Sequence, residues 1–290
     1  MARRVLAAVQ LRSGFASLTG GRLYYEIAGD GDPVVLIHGN AGDRRHWDHQ
    51  IEILARGFGA VRYDVRGCGR SSLPDEGQSF SHHEDLAALM DHLGIPSAHL
   101  VGWSMGSGIA VDFALAYPDQ TASLVSVGPW VNGYASPAAQ ALSADLAQVG
   151  AVMAQGGPAA AVRAWMDAPF FAATIRDPAA GAEFRRIAED YSFWAFSHRN
   201  PARALAPPSS GRLAEIQVPT LVLTAEYDIP ACLEIADLLD TSVRDSRKVA
   251  MDGTGHLLHI ERPQEFCERL VHFLTGVARH PGARPGLSQR

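Results

Sequence analysis

The chain has 290 residues, of which 47% are hydrophobic, enough to bury a sizeable core and better suited to one large α/β domain with an insertion than to two independent domains. Its formal net charge of −6 comes without a basic run, which speaks against nucleic acid and anionic membrane as partners. Three cysteines, Cys68, Cys232 and Cys267, are too few and too scattered for a disulfide framework or a zinc knuckle, and they fit a reducing cytoplasm.

In chain order, the stretch Met1 to Gln10 carries Arg3 and Arg4 but too short an apolar run for a signal-peptide core. No later run approaches the roughly 18 apolar residues of a membrane span. Phe15 to Leu18 and Arg22 to Ile27, separated by Thr19-Gly20-Gly21, predict an antiparallel edge hairpin. Apolar strand-like runs follow at Val34 to His38, Ala60 to Asp64, Ala98 to Gly102, Leu124 to Gly128, Thr220 to Thr224 and Arg247 to Met251. Together these predict a mostly parallel, eight-stranded sheet with helices on both faces. Ser81 followed by Glu84 has capping-box spacing, and Leu86, Leu89, Met90 and Leu93 form one apolar helical face that Gly94 ends.

Between about Val131 and Gly211 the strand rhythm disappears. Pro137 to Gln155 places Leu142, Leu146, Val149 and Met153 at helical spacing, Pro158 opens a second helix, and Asp177-Pro178 caps a third carrying Phe184, Ile187, Tyr191 and Trp194 along one side. The segment 131–211 therefore reads as a helical cap, or lid, inserted into a core domain formed by 1–130 and 212–275, with 276–290 as a flexible tail.

The segment Gly102-Trp103-Ser104-Met105-Gly106 is the most informative one, because a strand precedes it and a helical pattern, Ser107 to Tyr117, follows until Pro118. That is the context of a nucleophile elbow, a sharp turn that exposes the serine hydroxyl while flanking glycines relieve backbone crowding. A serine hydroxyl is a poor nucleophile until a histidine removes its proton, and a buried carboxylate must fix that histidine's tautomer. Asp228, after the strand Thr220 to Thr224, and His256, after Arg247 to Met251, stand where such partners are needed; Glu226 and His259 are the nearest competitors. His259 is expected in the following helical turn. Zinc readings of His256-x-x-His259 and His46-x-x-His49 lack a compatible third ligand, so neither a metal nor another cofactor is called for.

Several motifs in one order carry a resemblance: His38-Gly39-Asn40, the segment Asp64 to Ser72, the elbow, Ala225-Glu226-Tyr227-Asp228, and Gly255-His256 with Glu261 and Pro263 downstream. From Tyr24 to Leu274 the chain resembles the α/β-hydrolase superfamily, in its cap-bearing esterase, lactonase and haloperoxidase-like group. Ser107, Cys68 and Ala225 depart from the commoner residues at their positions, Cys68 with consequences for local packing or redox sensitivity. The resemblance implies catalytic Ser104, Asp228 and His256, and an oxyanion hole from the backbone N–H groups of Asn40 and Met105. It implies loop-shaping roles for His38 and for Asp64 to Ser72.

Trp103, Trp130, Phe170, Phe171, Phe193 and Trp194 are candidates for a substrate pocket, although ordinary core packing accounts for each of them as well. The expected activity is hydrolysis of a small-molecule carboxylic ester or lactone through an acyl-enzyme. Carbon–carbon bond hydrolysis and perhydrolysis are catalytic alternatives, and a slow-turnover signalling receptor is the non-enzymatic one. An aspartate nucleophile, as in epoxide hydrolases and haloalkane dehalogenases, is disfavoured by Ser104 itself. Substrate identity and oligomeric state are not specified by the sequence.

Overall fold

Strands buried on both faces must be apolar along their whole length, and the runs noted above meet that condition. In the computed structural model, which describes residues 9–75, 77–198 and 201–278, they become β1 (Arg12–Leu18), β2 (Gly21–Ala28), β3 (Asp32–Ile37), β4 (Phe58–Tyr63), β5 (Ala98–Trp103), β6 (Thr121–Val127), β7 (Thr220–Tyr227) and β8 (Ser246–Gly255). Every residue of β4 and β5 is buried. The strands form one eight-stranded sheet in the order β1-β2-β4-β3-β5-β6-β7-β8. The predicted hairpin is present as β1 and β2, β2 pairs antiparallel with β4, and every later pairing is parallel.

The helices are α1 (Asp48–Leu54), α2 (His82–Leu93), α3 (Met105–Ala116), α4 (Pro137–Met166), α5 (Ala172–Arg176), α6 (Pro178–Glu189), α7 (Trp194–Ser197), α8 (Pro230–Ser242), α9 (Leu258–Glu261) and α10 (Pro263–Ala278). α3 packs on β5 and β6 and against α2, α1 packs on β4 and against α10, and α8 covers β7 and β8. Among the described residues, no helix is long and apolar enough to cross a membrane.

Strand and helix ends move by a few residues from their predicted places, the usual slack of element termini. The capping box at α2 does not form: Ser81 occupies the N-cap with extended backbone but makes no side-chain cap bond, and Glu84 stays exposed. Gly156-Gly157-Pro158 does separate two helical stretches, because Gly157 takes φ 70° and kinks α4 there. Asp177 caps α6 through bonds from the N–H groups of Ala179 and Ala180. That helix ends at Glu189, so Tyr191 and Trp194 lie beyond it rather than along its side. α10 continues through Gly276 to Ala278; the rest of the expected tail, and Met1 to Ala8, lie outside the described residues.

Candidate active site

The strand-to-helix turn after β5 forces Ser104 to φ 54° and ψ −118°, a region that non-glycine residues occupy at a cost of about 1–3 kcal/mol. The turn is possible because Gly102 and Gly106 lie so close to neighbouring backbone that a Cβ at Gly102 would meet the carbonyl of Gly106, and one at Gly106 that of Ile37. The N–H of Ser104 donates to the carbonyl of Val127 at 2.9 Å, tying the turn to the end of β6.

Asp228 and His256 reach Ser104 from the ends of β7 and β8. Those strands run in register from Thr220 opposite Ser246 to Ala225 opposite Met251, and then slip, so that Tyr227 faces Gly255. The slip sets the residues after each strand, Asp228 and His256, side by side. His256 Nδ1 lies 2.7 Å from Asp228 Oδ1, and His256 Nε2 lies 3.0 Å from Ser104 Oγ. Asp228 Oδ1 also accepts from the N–H of Ile229 at 2.8 Å, which fixes the carboxylate plane. Both Asp228 and His256 are buried. The imidazole sits so close to Gly128, itself at φ 47°, that a Cβ there would be 3.0 Å from the ring.

The loop bearing His256 is held at two further points. Trp103 Nε1–H donates to the carbonyl of His256 at 2.9 Å. Glu261, at the end of α9, accepts the N–H of Gly255 on one carboxylate oxygen at 2.7 Å and the hydroxyl of Thr174, in α5, on the other at 2.5 Å. One carboxylate therefore joins the histidine loop to the helical segment between β6 and β7.

The competing residues are engaged elsewhere. His259 is buried against Trp47 and Trp103, ring centroids 4.7 and 5.1 Å away, with neither ring nitrogen hydrogen-bonded, and burial holds its pKa well below the ordinary histidine range. Glu226 is exposed and accepts the N–H of Gly253. His38 Nε2 accepts from the N–H of Val65 at 2.9 Å, and Asp64 accepts from the N–H groups of Arg44 and Arg70 at 2.9 and 2.8 Å, so these residues shape loops. Of the residues at which the chain departs from its resemblance, Ser107 bridges to the hydroxyl of Ser126 at 2.5 Å and braces the elbow. Cys68 is buried with its thiol pushed far up by that burial, which makes a reactive thiolate unfavourable.

Among the described residues, Asp228, Cys232 and His256 are the one group of potential metal ligands close enough to share an ion. Asp228 and His256 are already bonded to each other, and burial, then the Asp228 charge, keep the Cys232 thiol protonated. That donor set suits a hydrogen-bonded relay better than a metal.

Ser104 opens into a cavity of about 240 Å³. Asn40 and Met105 line it beside the serine; Met105 begins α3, where a helix has no internal acceptor for its first N–H groups. Trp103, Trp130, Phe170 and Phe171 also line it. Phe193 and Trp194 do not: Phe193 is fully buried against Tyr191 and Phe196, and Trp194 borders a separate, smaller cavity. Ile109, Leu142, Leu146, Trp165 and Ile229 complete the apolar wall, and His82 and Asn132 add polar members that sequence pattern alone does not single out. A more open cleft of about 880 Å³ between β8 and α10 contains none of Ser104, Asp228 and His256. Chemistry, not volume, selects the smaller cavity. The arrangement can move a proton from a hydroxyl to an imidazole, as attack on a carbonyl requires.

The family model described as "alpha/beta hydrolase fold" matches residues 32–263. The chain is 30% identical to "Putative carbamate hydrolase RutD" of Azorhizobium caulinodans over 87% of this chain and 94% of that protein. The crystal structure of the enol-lactonase from Burkholderia xenovorans LB400 is similar at 25% identity and TM-score 0.76, covering 90% of this chain and 100% of that one. A bromoperoxidase from Bacillus anthracis is similar at 26% identity and TM-score 0.76, covering 91% and 100%. The chain belongs to the alpha/beta hydrolase fold family, a family of hydrolase enzymes.

Proposed function

We propose that this chain is a serine hydrolase that cleaves a small-molecule carboxylic ester or lactone through an acyl-enzyme on Ser104. The observation that carries the reading is the unbroken line from Asp228 through His256 to Ser104, at 2.7 and 3.0 Å, ending at the wall of an apolar cavity. In the first step Ser104 Oγ bonds to the substrate carbonyl carbon as His256 Nε2 takes its proton, and Asp228 stabilises the imidazolium. The oxyanion is met by the N–H groups of Asn40 and Met105, each such donor contributing about 3 kcal/mol. His256 then gives the proton to the leaving oxygen as the carbon–oxygen bond breaks. Water repeats the sequence on the acyl-enzyme, releasing the acid and restoring Ser104. The domain division expected from the sequence fits this reading: the insertion roofs a small-molecule pocket while the core domain carries the reacting groups.

Treatment with a fluorophosphonate followed by intact-mass analysis tests the assignment. One adduct on the wild type and none on Ser104→Ala is the expected result. Equal labelling of the two proteins would show that another residue is the nucleophile.

A further inference from the structure

Ser104 and His256 line the cavity of about 240 Å³ but not its smaller neighbour of about 30 Å³. Asn40, His82 and Met105 belong to both walls, and Tyr191, Trp194 and Ala195 border the small cavity alone. Resting on the serine-hydrolase reading above, we propose that the two cavities divide the substrate at its reacting carbonyl. The large one takes an apolar leaving group, and the small one takes an acyl substituent of one or two heavy atoms, which narrows the substrate to an open-chain ester, since a lactone ring joins the two sides.

The assignment of sides follows from the proton. In the tetrahedral intermediate the carbon carries Ser104 Oγ, the oxyanion, the leaving oxygen and the acyl substituent. The leaving oxygen must come within hydrogen-bond reach of His256 Nε2 to be protonated, and His256 borders the large cavity alone of the two. Only the acyl substituent is free to point away from His256, and the small cavity is the neighbouring space that shares Asn40 and Met105 with the serine's own cavity.

Size follows from volume. One water needs about 10–15 Å³ of such space, so about 30 Å³ accepts a methyl, amino or ethyl group and little more. The wall is not soft. Trp194 is buried and its ring stacks on His198 at 4.9 Å with an interplanar angle of 4°. Tyr191 and Cys68, both buried, line the same small cavity. His82 stands edge-on to Phe80 with its Nδ1 buried and unpartnered, and Arg66 and Cys68 line the small cavity alone of the two. On the other side Leu142, Leu146, Trp165, Phe170 and Ile229 present carbon to the leaving group.

Two substrate series test the division: p-nitrophenyl esters from acetate to octanoate, and acetates with leaving groups growing from methyl to naphthyl. In the wild type kcat/KM is expected to fall at least tenfold from acetate to hexanoate in the first series and to rise at least tenfold across the second. Trp194→Ala enlarges the small cavity and is expected to raise the hexanoate-to-acetate ratio at least tenfold. Ala195→Phe fills it and is expected to lower acetate turnover at least tenfold, so the proposal stays open to test if Trp194→Ala fails to fold. A wild-type preference for hexanoate or octanoate, or folded variants that leave the acyl ranking unchanged, would overturn the division. So would turnover of none of these esters while a fluorophosphonate still labels Ser104. Absence of both turnover and label would instead remove the serine-hydrolase reading, and the division with it.

Discussion

The carboxyl ends of β5, β7 and β8 and the helical segment between β6 and β7 meet at one cavity, yet they supply different kinds of atom. From the strand ends come groups with fixed directions: Ser104 on its strained turn, Asp228 with its plane set by the N–H of Ile229, and His256 with its loop held by Trp103. From the helical segment come carbon walls, Leu142, Leu146, Trp165, Phe170 and Phe171. The helical segment is also linked to the region after β3 near the surface, by the ion pair of Arg45 with Asp190 at 2.8 Å, worth about 0–1 kcal/mol, and by the hydrogen bond of His49 with Glu183 at 2.9 Å. Hydrogen-bond chemistry requires angular control that a sheet can impose, whereas an apolar wall requires only shape, which packed helices can vary. A division of labour follows, and it can be broken experimentally.

The largest effect belongs to the strand ends. Ser104→Ala is expected to lower kcat/KM by at least about 10⁴-fold with an unchanged thermal melt, because the hydroxyl contributes reactivity rather than core packing. An activity loss accompanied by a lowered Tm would mean that the serine also holds the turn together. Asp228→Asn should cost about 10⁴-fold in kcat, because a neutral amide that can donate to His256 Nδ1 favours the wrong tautomer and no longer stabilises the imidazolium. Steady-state kinetics with less than a tenfold change would reassign the acid, with Glu226 the next to test.

The seam between the two regions should show itself in stability rather than rate. His46 is buried between Trp103, at 4.6 Å, and Phe184 of α6, at 6.2 Å, and burial, then the neighbouring His38, lower its pKa from about 6.5 to about 3. As pH falls from 6.5 towards 3, the unfolded chain binds a proton that the folded protein refuses, so stability drops with pH. At pH 5 the loss from this one imidazole is about 2 kcal/mol. His46→Leu is expected to flatten the dependence of unfolding free energy on pH between 7 and 5 by that amount, read from urea titrations. Parallel curves for the two proteins would show that the imidazole takes up a proton without unfolding.

The smallest effect belongs to the wall. Phe170→Ala should change the ratio of kcat/KM between large and small leaving groups by about tenfold, since a methylene in an apolar pocket is worth about 1–3 kcal/mol. Acylation by a small phosphonate should hardly change. A uniform loss across substrates together with a lowered melt would assign Phe170 to packing, alongside Phe171, which is already fully buried against Phe184.

The same contrast sets how much was legible from residues alone. The elbow, the hairpin and the positions of the strands along the chain follow from local backbone demands: glycines where a turn admits no Cβ, and apolar runs where both faces are covered. Asp228 and His256 were placed by their positions after strands, but the register slip between Ala225 and Tyr227 that brings them together has no letter of its own. In the insertion, aromatic spacing could not separate wall from core. Phe193 breaks the expected continuation of α6 with φ 52° and turns into the segment's own core, carrying Trp194 to the smaller cavity. His82 was invisible because the first residue of a helix carries no mark of the cavity that a distant loop closes over it.

Glu261 sets a limit on how substrate can enter. Its two oxygens are divided between Gly255, next to His256, and Thr174 in α5. If the insertion lifted as one rigid body, Thr174 would leave with it, and the anchor of the histidine loop would lose half of its support. A motion that spares the relay therefore has to leave α5 in place beside Glu261.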